Sequence, residues 1–357
     1  VSGDWGEPGS AAGAEPVKLA DVAAAAGVHP TTVSRALRGG EGVGSATAER
    51  IREVATRLGY LPHPVAASLR TGRSRVLGVV VPSLTDIVLA TIYEGIEQGA
   101  AEAGYHAVVA NSQDRPEVQR SRVATLLGAR VAGLILGDAR TDATLVDELV
   151  ERGTKLVLTS RRLPGVLSVT CDDLLGGRLA AEHLLGLGHT RPAVIAGEPY
   201  ASTGVERTRG FLDACTAAGV EVPVEAVLHS RFDVAGGRAA AESLLRLTPR
   251  PTALFAVNDF AAIGAMGAVR DAGLRVGEDV AVVGYNDVPP AAELPVALTS
   301  VRSPMREMGT RAAQTLIGLV EGRSDCESVL LPPTLLARQS TLGPTFADIA
   351  SPGTSAR

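Results

Sequence analysis

At 357 residues, with 45% hydrophobic but only 3% aromatic residues, the chain suits two or three soluble domains built largely from Ala and Val. No run approaches the roughly 18 consecutive apolar residues of a membrane span, so no membrane partner is expected. The net charge of −5 hides an asymmetry: residues 16–75 carry nine Lys/Arg against four Asp/Glu, a local +5 against −10 for the remainder. A basic segment on an acidic body is the footprint of a part that meets a polyanion.

Residues 1–16 are polar, rich in Gly and Pro, and lack a basic start and apolar core, which predicts a disordered leader rather than an export signal. Residues 17–60 predict three helices. Leu19, Val22, Ala23 and Ala26 recur at i, i+3, i+4 and i+7, the apolar stripe of a first helix that Gly27 would end. His29 precedes Pro30, which suits the first turn of a second helix over 30–38. That helix would bury Val33 and Leu37 and present Thr31, Thr32, Ser34, Arg35 and Arg38. Small hydroxyls and guanidiniums on the second of two tightly joined helices suit phosphates and base edges in a major groove, as in a helix-turn-helix. A third helix over 45–58 supplies Ile51, Val54, Ala55 and Leu58. Residues 61–75, interrupted by Pro62 and Pro64, read as a hinge with a short, conditional helix over 65–69.

From Val76 the pattern changes to alternating strands and helices. Strands are expected at 76–82, 106–111, 133–136 and 156–159. After a second start they are expected at 192–196, 226–229, 253–256 and 280–285. The intervening helices fall at 88–103, 116–127, 142–152, 176–187, 207–218, 234–247 and 259–272. This rhythm predicts an α/β body with parallel sheets in two similar lobes, and ligands bind such sheets at the carboxyl ends of the strands. The three cysteines, Cys171, Cys215 and Cys326, have no metal-ligand spacing and fit a reducing cytoplasm, so neither metal nor cofactor is expected. No nucleophile elbow or P-loop is present, which argues against an enzyme. His183 and His189 do not share a helix face and suit core packing and capping.

Over residues 17–342 the chain resembles the lactose-repressor (LacI/GalR) family of bacterial transcription regulators. The matching motifs are LADVAAAAGVHPTTVSRAL in the head and LGYLPHPVAASLRTGRS at the hinge. In the body they are TCDDLLGGRLAAEHLLGLGH, ERTRGF, VNDFAAIGAM and LRVGEDVAVVGYND. Composition sets off a leader at 1–16 and a small, polar tail expected to be disordered at 346–357, and between them the resemblance implies a helix-turn-helix domain at 17–60, a hinge at 61–75, and an effector and dimerisation domain at 76–345. The body would be periplasmic-binding-protein-like, with one lobe at 76–160 and 303–331 and the other at 161–302 and 332–345.

The resemblance further implies that Thr31 and Thr32 read bases beside Ser34, Arg35 and Arg38. Val65 and Ala66 would belong to the DNA-bound hinge, with Leu69 as the wedge in the minor groove. It places Ser83, Thr159, Arg207, Phe232, Asn258 and Asn286 in an effector cleft. There Arg207 would clamp hydroxyls, a carboxylate or a phosphate, and Phe232 would stack on an apolar ligand face. Departures from the family pattern are Lys18 and His29 at the two helix caps, and His63, Pro64 and Ala67 in the hinge. The implied partners are double-stranded operator DNA and a small sugar-like or nucleoside-like effector. A second copy of the chain would make a cytoplasmic, nucleoid-associated homodimer, with a tetramer disfavoured because no heptad pattern follows Leu342. A solute-binding protein without a DNA role is the alternative.

Overall fold

The computed structural model describes residues 17–37, 42–60 and 74–343, in two units that divide between Ser74 and Arg75. In the first unit, α1 (Leu19–Ala26), α2 (Pro30–Leu37) and α3 (Ser45–Leu58) enclose Val22, Val33, Ile51 and Val54. The Asp21 carboxylate accepts the Lys18 backbone N–H at 2.7 Å and so fixes the start of α1. Gly27 ends that helix at a φ of +64°, which lets the Val28 N–H return to the Ala23 carbonyl. His29 supplies the cap that the sequence left in question. Its Nδ1 lies 2.8 Å from the Thr31 hydroxyl and accepts the Thr31 N–H at 3.4 Å.

The second unit begins with β1 (Val76–Val81), α4 (Ile87–Glu102), β2 (His106–Asn111), α5 (Pro116–Gly128), β3 (Gly133–Leu136), α6 (Leu145–Glu151), β4 (Leu156–Thr159) and β5 (Ser168–Cys171). It continues with α7 (Asp173–Gly186), β6 (Pro192–Ala196), α8 (Ser202–Ala217), β7 (Val227–His229), α9 (Val234–Leu244), β8 (Ala253–Ala256), α10 (Asp259–Asp271) and β9 (Ala281–Asn286). The last elements are α11 (Pro290–Glu293), β10 (Thr299–Arg302), α12 (Met305–Glu321), β11 (Val329–Leu331), β12 (Thr334–Leu336) and α13 (Gln339–Leu342). Two sheets result, ordered β11-β5-β4-β3-β1-β2 and β12-β10-β9-β8-β6-β7. Every pairing is parallel except β10 with β12. Strands such as Leu-Val-Leu-Thr at 156–159 are buried along their length, as parallel strands covered on both faces must be.

The lobe boundary expected between 160 and 161 is corrected by this topology. β5 pairs with β4 and β11, so the first lobe runs to Cys171 and the second opens with α7. Ser168-Val169-Thr170-Cys171 is too short and too polar to announce itself as a buried strand. The chain then returns to the first lobe with α12, which packs on α4 and on β3, β4 and β5. Helix α12 approaches α4 closely because a Cβ on Gly309 would overlap the Ile92 carbonyl oxygen. Gly177 of α7 plays the same part against the Arg207 carbonyl of α8. In the second lobe Phe211 stacks on Phe255 with centroids 4.8 Å apart. No helix among the described residues is long and apolar enough to cross a membrane.

Asp259, the first residue of α10, is fully buried in the second lobe. One oxygen accepts the Ser300 hydroxyl at 2.6 Å and the other the Val288 N–H at 2.8 Å. Burial pushes its carboxyl up to about 7 despite those donors. The folded state therefore holds this proton more tightly than the unfolded chain, and stability contributed by it falls as pH rises from about 4 to about 7. Asp259→Asn keeps the Val288 contact without that titration. We expect the melting temperature of the variant to gain on the parent between pH 5 and about pH 7 and the gap to level off above that; a gap independent of pH would contradict the assignment.

Candidate functional site

On the first unit, Thr31 and Arg35 are exposed on α2 and Thr32 is half-buried. Ser34 is not where the sequence put it. It is only 5% exposed, because α2 packs against both α1 and α3 and so buries a wider stripe than Val33 and Leu37 alone. Arg38, Val65, Ala66 and Leu69 lie outside the described residues.

In the second unit a cavity of about 570 Å³ opens where the carboxyl ends of both sheets meet, within the range of small-molecule sites. Ser83 lines it beyond β1, its hydroxyl 2.9 Å from that of Thr85. Asp86 caps α4 by accepting the Val88 N–H at 3.0 Å and also faces the cavity. Phe232 forms part of the wall beyond β7, against Gly197. Asn258 holds that wall in place: it caps α10 through the Ala261 N–H and donates to the Phe232 carbonyl, both at 2.9 Å. Asn286 closes β9 at a φ of +101° and accepts the Ser303 hydroxyl at 3.1 Å. Backbone strain gathers at this mouth: Gln113, Asp114, Ser160 and Asn286 line it at positive φ, and among the described residues only Asp287, next in the chain, and Arg130 are other non-glycines at positive φ.

Thr159 is the expected effector residue that the structure moves away from the cavity. It is the last residue of β4, is 0% exposed, and spends its hydroxyl on the Val169 carbonyl at 3.0 Å. Ser160, turned out of the strand at a φ of +62°, takes the place assigned to Thr159.

Arg207 anchors the floor from α8. Its Nε donates to Asp173 at 2.8 Å, one terminal nitrogen donates to the Val257 carbonyl at 2.8 Å, and the guanidinium lies 3.7 Å from the Tyr285 ring centre. Burial alone would lower its pKa, but the Asp173 carboxylate more than offsets this and holds it above the ordinary guanidinium value. Arg207 is thus a charged group kept in place by α7, β8 and β9 together. Asp172, one residue earlier, caps α7 through the Leu175 N–H at 3.0 Å.

One edge of the cavity is bridged between the lobes. Arg161 grips both oxygens of Asp114 at 2.7 and 2.8 Å, and the Tyr200 hydroxyl donates to the same carboxylate at 3.1 Å. Arg140 lies 3.4 Å above the Tyr200 ring, and Thr141 donates its N–H to the Tyr200 carbonyl at 3.0 Å. Beside it, Arg162 donates to Glu206 at 2.8 Å and its N–H to the Ser202 hydroxyl at 2.9 Å. Sequence reading missed this bridge. It began α8 at 207, whereas the helix starts at Ser202 and carries Thr203 into the cavity one turn before Arg207. The Thr203–Arg207 spacing of four was the available signal. The bridging residues had none, since their partners lie far away in sequence. His183 and His189 are structural, bonded to Thr341 and Thr252.

The model of the periplasmic binding protein-like domain matches residues 181–341, and that of bacterial regulatory proteins, lacI family, matches residues 18–63. The chain is 35% identical over 329 residues to the HTH-type transcriptional regulator CelR of Thermobifida fusca, covering 89% of this chain and 96% of that protein. It is 30% identical over 327 residues to the HTH-type transcriptional regulator DegA of Bacillus subtilis, covering 90% and 97%. Among solved structures it matches the lac repressor dimer bound to operator and the anti-inducer ONPF, with a TM-score of 0.84 at 29% identity over 92% of this chain and 100% of that one. The CelR–cellobiose complex matches with a TM-score of 0.71 at 33% identity over 91% and 99%.

The ion pair under the cavity makes a stability prediction. Arg207→Ala strands the Asp173 carboxylate in the interior and should cost about 3–5 kcal/mol in urea unfolding. The double change Arg207→Met with Asp173→Leu removes both charges and should recover most of that loss. Equal losses for the single and double variants would show that the pairing is not what holds this floor together.

Proposed function

Since the chain belongs to the lacI family of bacterial regulatory proteins, we propose that it represses transcription as a homodimer on a pseudo-palindromic operator, with a small effector between its lobes setting operator affinity. It is a ligand-responsive DNA-binding regulator and not an enzyme, in keeping with its regulator relatives. The observation that carries the proposal is the union, in one chain, of a helix-turn-helix exposing Thr31 and Arg35 with a body whose cavity lies between two bridged lobes. A solute-binding protein without a DNA role would have no use for such a head. The site of action on DNA places the protein in the cytoplasm.

In the proposed mechanism the body has two states that differ in lobe arrangement. The Tyr200 and Arg162–Glu206 bridge belongs to one of them. An effector shifts the balance only by binding one state better than the other. The lobe movement is passed to the partner copy and to the two hinges over 61–75, where Leu69 would wedge the minor groove. Phe232, Asn258, Asn286, Ser83 and Arg207 are the proposed effector contacts, with Ser160 and Thr203 added and Thr159 set aside.

Two measurements test this reading. In gel shifts with the DNA upstream of its own gene, Leu69→Gln should weaken specific binding by about tenfold or more while nonspecific binding changes little. Equal loss on both DNAs would contradict the wedge. In sedimentation the full-length protein should run as a dimer; a monomer would contradict the homodimer reading.

A further inference from the structure

The charges around the cavity are unevenly spent. Each guanidinium that lines it already has a carboxylate partner: Arg207 with Asp173, Arg161 with Asp114, and Arg231 with Asp233 at 3.1 Å. Two lining carboxylates remain, Asp86 and Glu198, and neither forms a salt bridge among the described residues. Asp86 is held by the N-terminal turn of α4, with one oxygen on the Val88 N–H, and no cationic side chain bonds it. Burial raises its carboxyl above its ordinary value, and the charges of Arg161 and Arg207 only partly counter this. A half-buried carboxylate that accepts from backbone alone still has acceptor capacity directed at incoming donors.

An anionic ligand entering this space meets two carboxylates and no uncommitted guanidinium. Within the cleft it would have to break the Arg207–Asp173 or Arg161–Asp114 pair or sit beside a like charge, and both are unfavourable in a partly dehydrated space; only the exposed Arg231–Asp233 pair would yield readily. A ligand rich in hydroxyls meets the opposite situation. Its O–H groups donate to Asp86, its oxygens accept from the small hydroxyl side chains Ser83, Ser160 and Thr203, and its carbon-bound hydrogens face Phe232.

We propose that Asp86 is a specificity-determining residue of the cleft, accepting hydrogen bonds from an uncharged polyhydroxylated effector and excluding phosphorylated or carboxylated sugars. The assignment rests on the cavity being the effector site and names the chemical class that site accepts. It narrows the options left open for Arg207, whose guanidinium is committed to Asp173 and serves hydroxyls rather than an anion.

The test uses the full-length protein and three matched sugar series, read by thermal melting and calorimetry. The uncharged members are D-glucose, D-ribose and cellobiose, and the anionic members are glucose 6-phosphate, ribose 5-phosphate and cellobionate. At least one uncharged sugar should bind, and its anionic counterpart should bind more weakly by tenfold or more. Asp86→Asn retains the oxygen that caps α4, so the helix start survives. This variant should bind the uncharged sugar about tenfold more weakly, the scale of one lost hydrogen bond to a charged group. It should also lose most of the discrimination against the anion. The proposal is overturned if an anionic member binds as well as its neutral counterpart, if no member of any series binds, or if Asp86→Asn leaves the discrimination intact. Retention of the upstream DNA by the sugar-free protein is measured alongside. Its failure would remove the regulator reading while leaving the charge rule for the cleft to stand or fall on the melting data.

Discussion

The buried pair of Arg207 and Asp173 is the constraint around which the body is built. Asp173 follows directly on the crossover from the first sheet, while Arg207 sits on α8 beneath the cavity. Their 2.8 Å contact, with the Val257 carbonyl and Tyr285 ring as further partners, gathers α7, α8, β8 and β9 at one point. A buried ion pair is weak evidence for stability, since two charges must be desolvated to make it. Its value here is geometric. It fixes a donor-rich plane at the base of the cleft and ties the chain crossing between the lobes to the floor of the cavity. Gly177, where a Cβ would overlap the Arg207 carbonyl, lets α7 and α8 come close enough for the contact.

Around that fixed floor the contacts between the lobes lie at the edge. The buried Arg161 holds Asp114 within the first lobe, Tyr200 of the second lobe donates to that carboxylate beside Arg140, and the partly exposed Arg162–Glu206 pair extends the bridge. The partly exposed contacts that cross between the lobes contribute modestly to stability, because water competes for their partners and side-chain entropy opposes them. Modest energy is what a switch requires. A bridge that can be exchanged for ligand contacts allows two lobe arrangements close in free energy, whereas a fully buried seam would lock one of them. The residues at positive φ, Gln113, Asp114 and Ser160, lie in the same loops, so local strain is concentrated where arrangement must change.

Much of the fold was legible because parallel strands covered on both faces write themselves as continuous apolar runs. The strands over 106–111, 133–136, 156–159, 192–196 and 253–256 have the boundaries read from sequence. What was not legible had a physical reason in each case. β5 is four residues of mixed polarity, stabilised by β4 and β11 from distant parts of the chain. Helix α12 lies beyond the last element read, though Met308, Ala312 and Leu316 carry its buried stripe. Ser34 is buried because α2 has two neighbours, which a single-stripe reading ignores. Thr159 and Ser160 differ by one position at a strand end, where the backbone alone decides which side chain enters the cleft. Arg207, Asn258, Asn286, Phe232 and Ser83 all line the cavity, whereas the roles of Asp86 and Tyr200 depend on neighbours that only the folded chain assembles.

In the proposed regulator, cleft occupancy and operator occupancy share a two-state element, so each must alter the affinity of the other by the same factor. Calorimetric titration of the tightest-binding uncharged sugar into the free protein, and then into its complex with operator DNA, tests this directly. Operator is expected to change the sugar dissociation constant by the same factor by which the sugar changes operator affinity. Sugar affinity that is identical with and without operator would contradict it.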